Sequence, residues 1–91
     1  MPSQTVHVGD PVGLHLRAAS RIVKLAKRFP CDIKIRYEDV ETNAKSILGL
    51  ASLVARHQAP VTLTTEGEQA EEALAALVEL IEVGLAEGPA E

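Results

Sequence analysis

The chain has 91 residues, 46% hydrophobic and 24% charged, which permits one domain and excludes a disordered or collagen-like polymer. Its net charge of −4 is unevenly spread: residues 1–65 hold all nine Lys/Arg and five acids, whereas residues 66–91 hold eight Glu and no base. The basic part could attract nucleic acid or phosphate, but aromatics at 2% leave almost no stacking platform for bases, so phosphate or an acidic partner is expected and nucleic acid is not.

Gln4 to Val8 alternates, with Val6 and Val8 on one side and Thr5 and His7 on the other, the period of a half-buried strand. Gly9-Asp10-Pro11-Val12-Gly13 then breaks regular structure and predicts a loop. From Leu16 to about Phe29, Leu16, Ala19, Ile22, Val23, Ala26 and Phe29 recur at helical spacing, and Arg17, Arg21, Lys24, Lys27 and Arg28 fill the remaining surface. This first helix is amphipathic and basic, with Pro30 as its stop.

Ile33, Ile35 and Tyr37 alternate with Asp32, Lys34 and Arg36, then Glu38-Asp39 predicts a tight turn and Val40 to Asn43 a return strand. Lys45 to about Ala55 is dense in apolar residues and reads as a short second helix with Ser46 as its N-cap. Val61 and Leu63 alternate with Thr62 and Thr64 as a fourth strand before a turn at Glu66-Gly67. Glu68 to about Leu85 then places Ala70, Ala73, Leu74, Leu77 and Ile81 on one helical face, with acids in the first turns where the helix dipole favours them.

The resulting order, β-α-β-β-α-β-α, gives every strand one apolar and one polar face. That pattern fits an α+β fold in which helices cover one side of an antiparallel sheet. Periodicity does not select the strand order, and a ferredoxin-like arrangement is compatible with the same elements. Residues 1–88 are expected to form the single domain, with 89–91 a frayed tail.

No apolar run approaches the ~18–20 residues that span a bilayer, and Met1-Pro2-Ser3-Gln4 lacks the flanks of a signal peptide, so export and membrane insertion are not expected. Cys31, the single cysteine, cannot form an internal disulfide, which makes a cytoplasmic location the default. The sequence offers no nucleotide-binding glycine loop, metal-ligand cluster, Gly-x-Ser-x-Gly elbow or singled-out carboxylate pair. No cofactor or metal is therefore expected, and a stand-alone enzyme is a weak reading.

Three histidines remain as reactive candidates. His7 points to the polar side of its strand and His57 sits in a polar connection, positions where histidines usually have no special role. His15 lies between a glycine-bearing loop and the first turn of a helix, where unpaired N–H groups and the dipole make a place for an anion, and Arg17 follows. An imidazole there can store a phosphoryl group: a neutral ring nitrogen is nucleophilic, the helix start steadies the added charge, and Arg17 donates to phosphoryl oxygens. His-x-Arg alone carries little specificity and is better matched by a plain helix cap and a solvated arginine.

Gly13-Leu14-His15-Leu16-Arg17-Ala18-Ala19, together with Lys45-Ser46-Ile47-Leu48-Gly49-Leu50, resembles the histidine-containing phosphocarrier (HPr) family of the sugar phosphotransferase system. The likeness spans nearly the whole chain and agrees in length, element order and motif separation. It implies an HPr-like open-faced β-sandwich, with an antiparallel sheet in the order 1-4-2-3 and three helices on one face. By the same resemblance, His15 accepts a phosphoryl group at Nδ1 from phosphorylated enzyme I and passes it to a histidine of a sugar-specific IIA domain, with Arg17 steadying the group. Both partners would share a surface made by Leu16, Ser20, Ile47, Leu48 and Ala51, rimmed by Arg17, Arg21, Lys24 and Lys27.

Ser46 matches the family's regulatory phosphorylation site, which implies an HPr kinase/phosphorylase and a transcriptional regulator as further partners; as an N-cap alone it would contribute ~1 kcal/mol. The resemblance implies a monomeric carrier with a phosphohistidine intermediate. An HPr paralogue of the nitrogen phosphotransferase branch, or a mainly regulatory binding module, remains a competing reading. Two positions depart from the family pattern. Ala18 replaces the usual proline and keeps an N–H that could serve as one more phosphate donor. Val54 stands where a glycine commonly ends the second helix, so that helix is expected to run a turn further toward His57.

Overall fold

The computed structural model describes residues 2–87; the tail expected at 89–91 lies outside them. Strands β1 (Ser3–His7), β2 (Asp32–Tyr37), β3 (Val40–Asn43) and β4 (Pro60–Glu66) alternate with helices α1 (Leu16–Ala26), α2 (Ile47–Ser52) and α3 (Ala70–Glu79). All strand pairs are antiparallel and the order is β1-β4-β2-β3. The α+β class, the strand order and the three helices thus match expectation.

Strand alternation does the sorting. Val6, Ile33, Ile35, Val61 and Leu63 are buried beneath the helices, where they meet Ala19, Ile22, Val23, Leu50, Ala73, Leu77 and Ile81. The opposite face carries hydroxyls that pair across strands, Thr5 Oγ1 with Thr62 Oγ1 at 3.0 Å and Ser3 Oγ with Thr64 Oγ1 at 3.4 Å. Thr65 is the polar exception on the buried face, and its hydroxyl donates to the Ala70 carbonyl at 2.7 Å, which removes the cost of burying it.

Several boundaries differ from the sequence reading. β1 begins and ends one residue earlier than expected, and β4 is longer at both ends. α1 stops at Ala26 rather than near Phe29: the Arg28 and Phe29 N–H groups donate to the Leu25 and Ala26 carbonyls, tightening the last turn before Pro30 is reached.

The expected extension of the second helix past Val54 is incorrect. α2 ends at Ser52, and Val54 adopts a left-handed conformation at φ +54°. Valine therefore takes the backbone geometry that glycine would adopt more cheaply, and the chain turns away. The third helix begins at Ala70 instead of Glu68, with Gln69 left-handed at φ +63°, and its α-helical part ends at Glu79. The chain continues as a π turn at Leu80–Gly84 and a 3-10 turn at Leu85–Glu87.

That π turn helps to hold the loop after β1. The Gly9 N–H donates to the Ile81 carbonyl at 2.9 Å, and a Cβ at Gly9 would overlap the Glu82 carbonyl oxygen. At the other end of the loop, Gly13 has φ +100°, a Cβ there would strike the Ala55 carbonyl, and the Leu14 N–H donates to that carbonyl at 2.8 Å. The loop is pinned between the π turn and the segment after α2, and Leu14 leads from it to His15.

Candidate functional site

His15 is the N-cap of α1. Its backbone is extended, at φ −90° and ψ −177°, while its carbonyl accepts the Ala19 N–H at 2.8 Å. The imidazole performs the task usually given to a serine or aspartate oxygen: Nδ1 accepts the Arg17 N–H at 3.2 Å. Buried Leu14 anchors the preceding position, and the His15 side chain remains 33% exposed. An Nδ1 atom that accepts carries a lone pair, so in the neutral form of the ring this contact favours the tautomer with its proton on Nε2.

On the far side of the ring, Nε2 lies 3.4 Å from Asp10 Oδ1. That carboxylate oxygen also accepts the Val12 N–H at 2.8 Å, while the Asp10 carbonyl accepts the Gly13 N–H at 3.0 Å and lies 3.1 Å from His57 Nδ1. Asp10 therefore organises the loop through both its side chain and its backbone. The sequence reading treated it only as a turn residue, because its approach to His15 depends on closure of that loop.

A hollow of about 150 Å³ beside the ring is lined by Asp10, Pro11, Val12, His15, Arg17, Ala18 and Arg21. The Ala18 N–H makes no hydrogen bond among the described residues, as expected for the first turn of a helix. The Arg17 side chain is exposed. Arg21 is half-buried, and its Nη1 donates to the Gly84 carbonyl at 3.5 Å, linking the hollow to the end of the π turn. The hollow thus brings the first turn of a helix and two guanidinium-bearing residues to one place, which Asp10 also borders.

On its other side the ring borders a second depression, shared with Val12, Leu14, Ala51, Val54, Ala55 and Arg56. Val12, Leu16, Leu48 and Val54 are 73, 62, 79 and 69% exposed, and Ile47 is also exposed. Of these, Val12 and Val54 border the depression beside the imidazole, so exposed apolar side chains stand next to His15. Leu16, Ser20 and Lys24 follow one another at helical spacing along exposed positions of α1, and exposed Lys27 caps its end.

The sequence points to Leu16, Ser20, Ile47, Leu48 and Ala51 for this surface; beside His15 the depression brings Ala51 together with Val12, Val54 and Arg56. The left-handed turn at Val54 brings the last two into this region. Ser46 caps α2, its Oγ accepting the Gly49 N–H at 3.0 Å. A Cβ at Gly49 would run into Thr42 Oγ1, so a larger residue there would have to displace that side chain. Lys45 plays a structural part, with Nζ donating to the Phe29 and Cys31 carbonyls at 2.8 and 2.9 Å.

A family model described as the PTS HPr component phosphorylation site matches residues 2–83. The chain is 41% identical to the phosphocarrier protein HPr of Lysinibacillus sphaericus over 88 residues, covering 96% of this chain and all of that one. It is 40% identical to the phosphocarrier protein HPr of Pseudomonas aeruginosa, covering 97% and 99% of the two chains. The crystal structure of HPr-C-His from Thermoanaerobacter tengcongensis superposes with a TM-score of 0.90 at 37% identity, over 98% of this chain and 100% of that one.

Proposed function

The chain belongs to the HPr phosphocarrier family, and we propose that it shuttles phosphoryl groups in the sugar phosphotransferase system, accepting them on His15 Nδ1 from phosphorylated enzyme I and delivering them to a histidine of a sugar-specific IIA domain. The observation that carries this reading is the lone pair of Nδ1, held at the start of α1 by the Arg17 N–H. That nitrogen attacks phosphorus, the bond from phosphorus to the donor's ring nitrogen breaks with its electron pair returning to the donor, and the three phosphoryl oxygens enter the hollow. There the first-turn N–H groups and the Arg17 guanidinium balance their charge. Delivery reverses the step on a second imidazole.

Such a carrier must leave each partner after transfer. A small apolar patch with a basic rim supports this: the rim of Arg17, Arg21, Lys24 and Lys27 steers acidic partners, and the contact around Leu16, Ser20, Ile47, Leu48 and Ala51 remains brief. A cytoplasmic monomer belongs to this reading. Enzyme I with phosphoenolpyruvate is expected to add one acid-labile, alkali-stable phosphate, and His15→Ala to abolish it. Labelling that survives in His15→Ala would refute the assignment.

Ser46 is proposed as a second, regulatory phosphosite read by a serine kinase and a transcriptional regulator. A dianionic phosphate at the start of α2 would stand beside Ile47 and Leu48 and impair apolar docking there. Ser46→Asp should accordingly lower the rate of labelling by enzyme I at unchanged fold, and an unaltered rate would remove the role.

A further inference from the structure

Taking His15 as the phosphoryl acceptor, we infer that Asp10 is a positioning residue that selects the ring tautomer and so decides which nitrogen becomes phosphorylated. The inference rests on the two contacts at opposite ends of one imidazole. At Nδ1 the Arg17 N–H points in, at 3.2 Å. At Nε2 the Asp10 carboxylate oxygen stands 3.4 Å away. In the Nε2–H tautomer both ends are matched, a lone pair to a donor and a proton to an anion. In the Nδ1–H tautomer both are mismatched, N–H against N–H and lone pair against carboxylate.

Asp10 suits the role because its position is determined independently of His15. Its side chain is 11% exposed, and the carboxylate oxygen is fixed by the Val12 N–H at 2.8 Å. The backbone around it is tied by Gly13, by His57 and, through Gly9, by the Ile81 carbonyl. A carboxylate held in this way acts on the ring with little reorganisation, as in other sites where an acid orients a histidine.

The contact also bears on the energetics of transfer. When Nδ1 bonds to phosphorus, the Nε2 proton stays in place and the ring acquires a positive charge; the donor's nitrogen–phosphorus bond supplies the phosphoryl group and recovers its electron pair. Asp10 then faces an imidazolium across the same gap. No proton has to leave or arrive, and on delivery the ring departs as the neutral Nε2–H imidazole from which it started.

The test uses the full chain with 15N-labelled histidine, comparing wild type with Asp10→Asn and Asp10→Ala at a pH where the ring is neutral. Asp10→Asn retains an oxygen for the Val12 N–H and so guards against collapse of the loop. Ring 15N shifts of His15 in the wild type should show the Nδ1–H tautomer at less than about a tenth of the population; Asp10→Ala should raise it several-fold, and Asp10→Asn by less, because its amide oxygen still faces Nε2 but without the charge. The rate of phosphoryl acceptance from phosphorylated enzyme I should fall about tenfold, as for loss of one charged contact. A wild-type ring that is mainly Nδ1–H, or a tautomer ratio unchanged in both variants, overturns the inference. The ratio is measured on unphosphorylated protein, so a shifted ratio in a chain that enzyme I never labels would sustain the role of Asp10 and defeat the carrier reading instead.

Discussion

In the first turn of α1, Ala18 presents a backbone N–H with no acceptor among the described residues while its methyl group is buried in the core. Proline is tolerated in a first turn because that N–H is not needed by the helix. Ala18→Pro should therefore fold, yet bind inorganic phosphate and accept phosphoryl groups several-fold less well, having lost one donor to a charged ligand. Phosphate titration followed by NMR, together with transfer rates, would detect this; equal values for both chains would show that the N–H contributes nothing. His15 and Arg17 were legible in the sequence because motif and helix start coincide. Asp10 was not, since its contact with His15 depends on a loop closed by the distant Ala55 and Ile81 carbonyls, and no periodicity encodes that closure.

Among the elements, those whose apolar period is clean emerge within a few residues of expectation: β1, the β2–β3 hairpin, β4 and α1. The end of α2 does not. Valine ordinarily avoids the left-handed region, so nothing local in the sequence announces the turn that Val54 makes at φ +54°. The break in α3 is likewise tertiary, since the π turn lies against Gly9 and lends it a carbonyl. Val54 stores strain while exposing its side chain beside His15, which separates stability from docking. Val54→Gly should relieve strain and raise unfolding free energy by about 1 kcal/mol, measured by urea denaturation, and should weaken the patch toward enzyme I. A variant less stable than wild type would show that the conformation is not strained.

Across the whole molecule, strand periodicity indicated a sheet with helices on one side, but its order came from family resemblance, because β1-β4-β2-β3 requires knowing which edges meet. The proposed docking face takes its basic character from α1, whereas the eight acids of residues 66–91 include those on α3, outside that rim. Association with an acidic partner should therefore be steered, and should slow as salt rises. Lys24→Glu combined with Lys27→Glu should reduce the association rate with enzyme I about tenfold at low ionic strength and flatten its salt dependence, as stopped-flow measurement would reveal; an unchanged slope would place the partner elsewhere. The most direct test of the central claim is to phosphorylate 15N-histidine-labelled protein with enzyme I and phosphoenolpyruvate, then locate the nitrogen–phosphorus bond by 15N–31P coupling. A single bond at Nδ1 of His15 is the expected result, and phosphate on Nε2, on His7 or on His57 would contradict it.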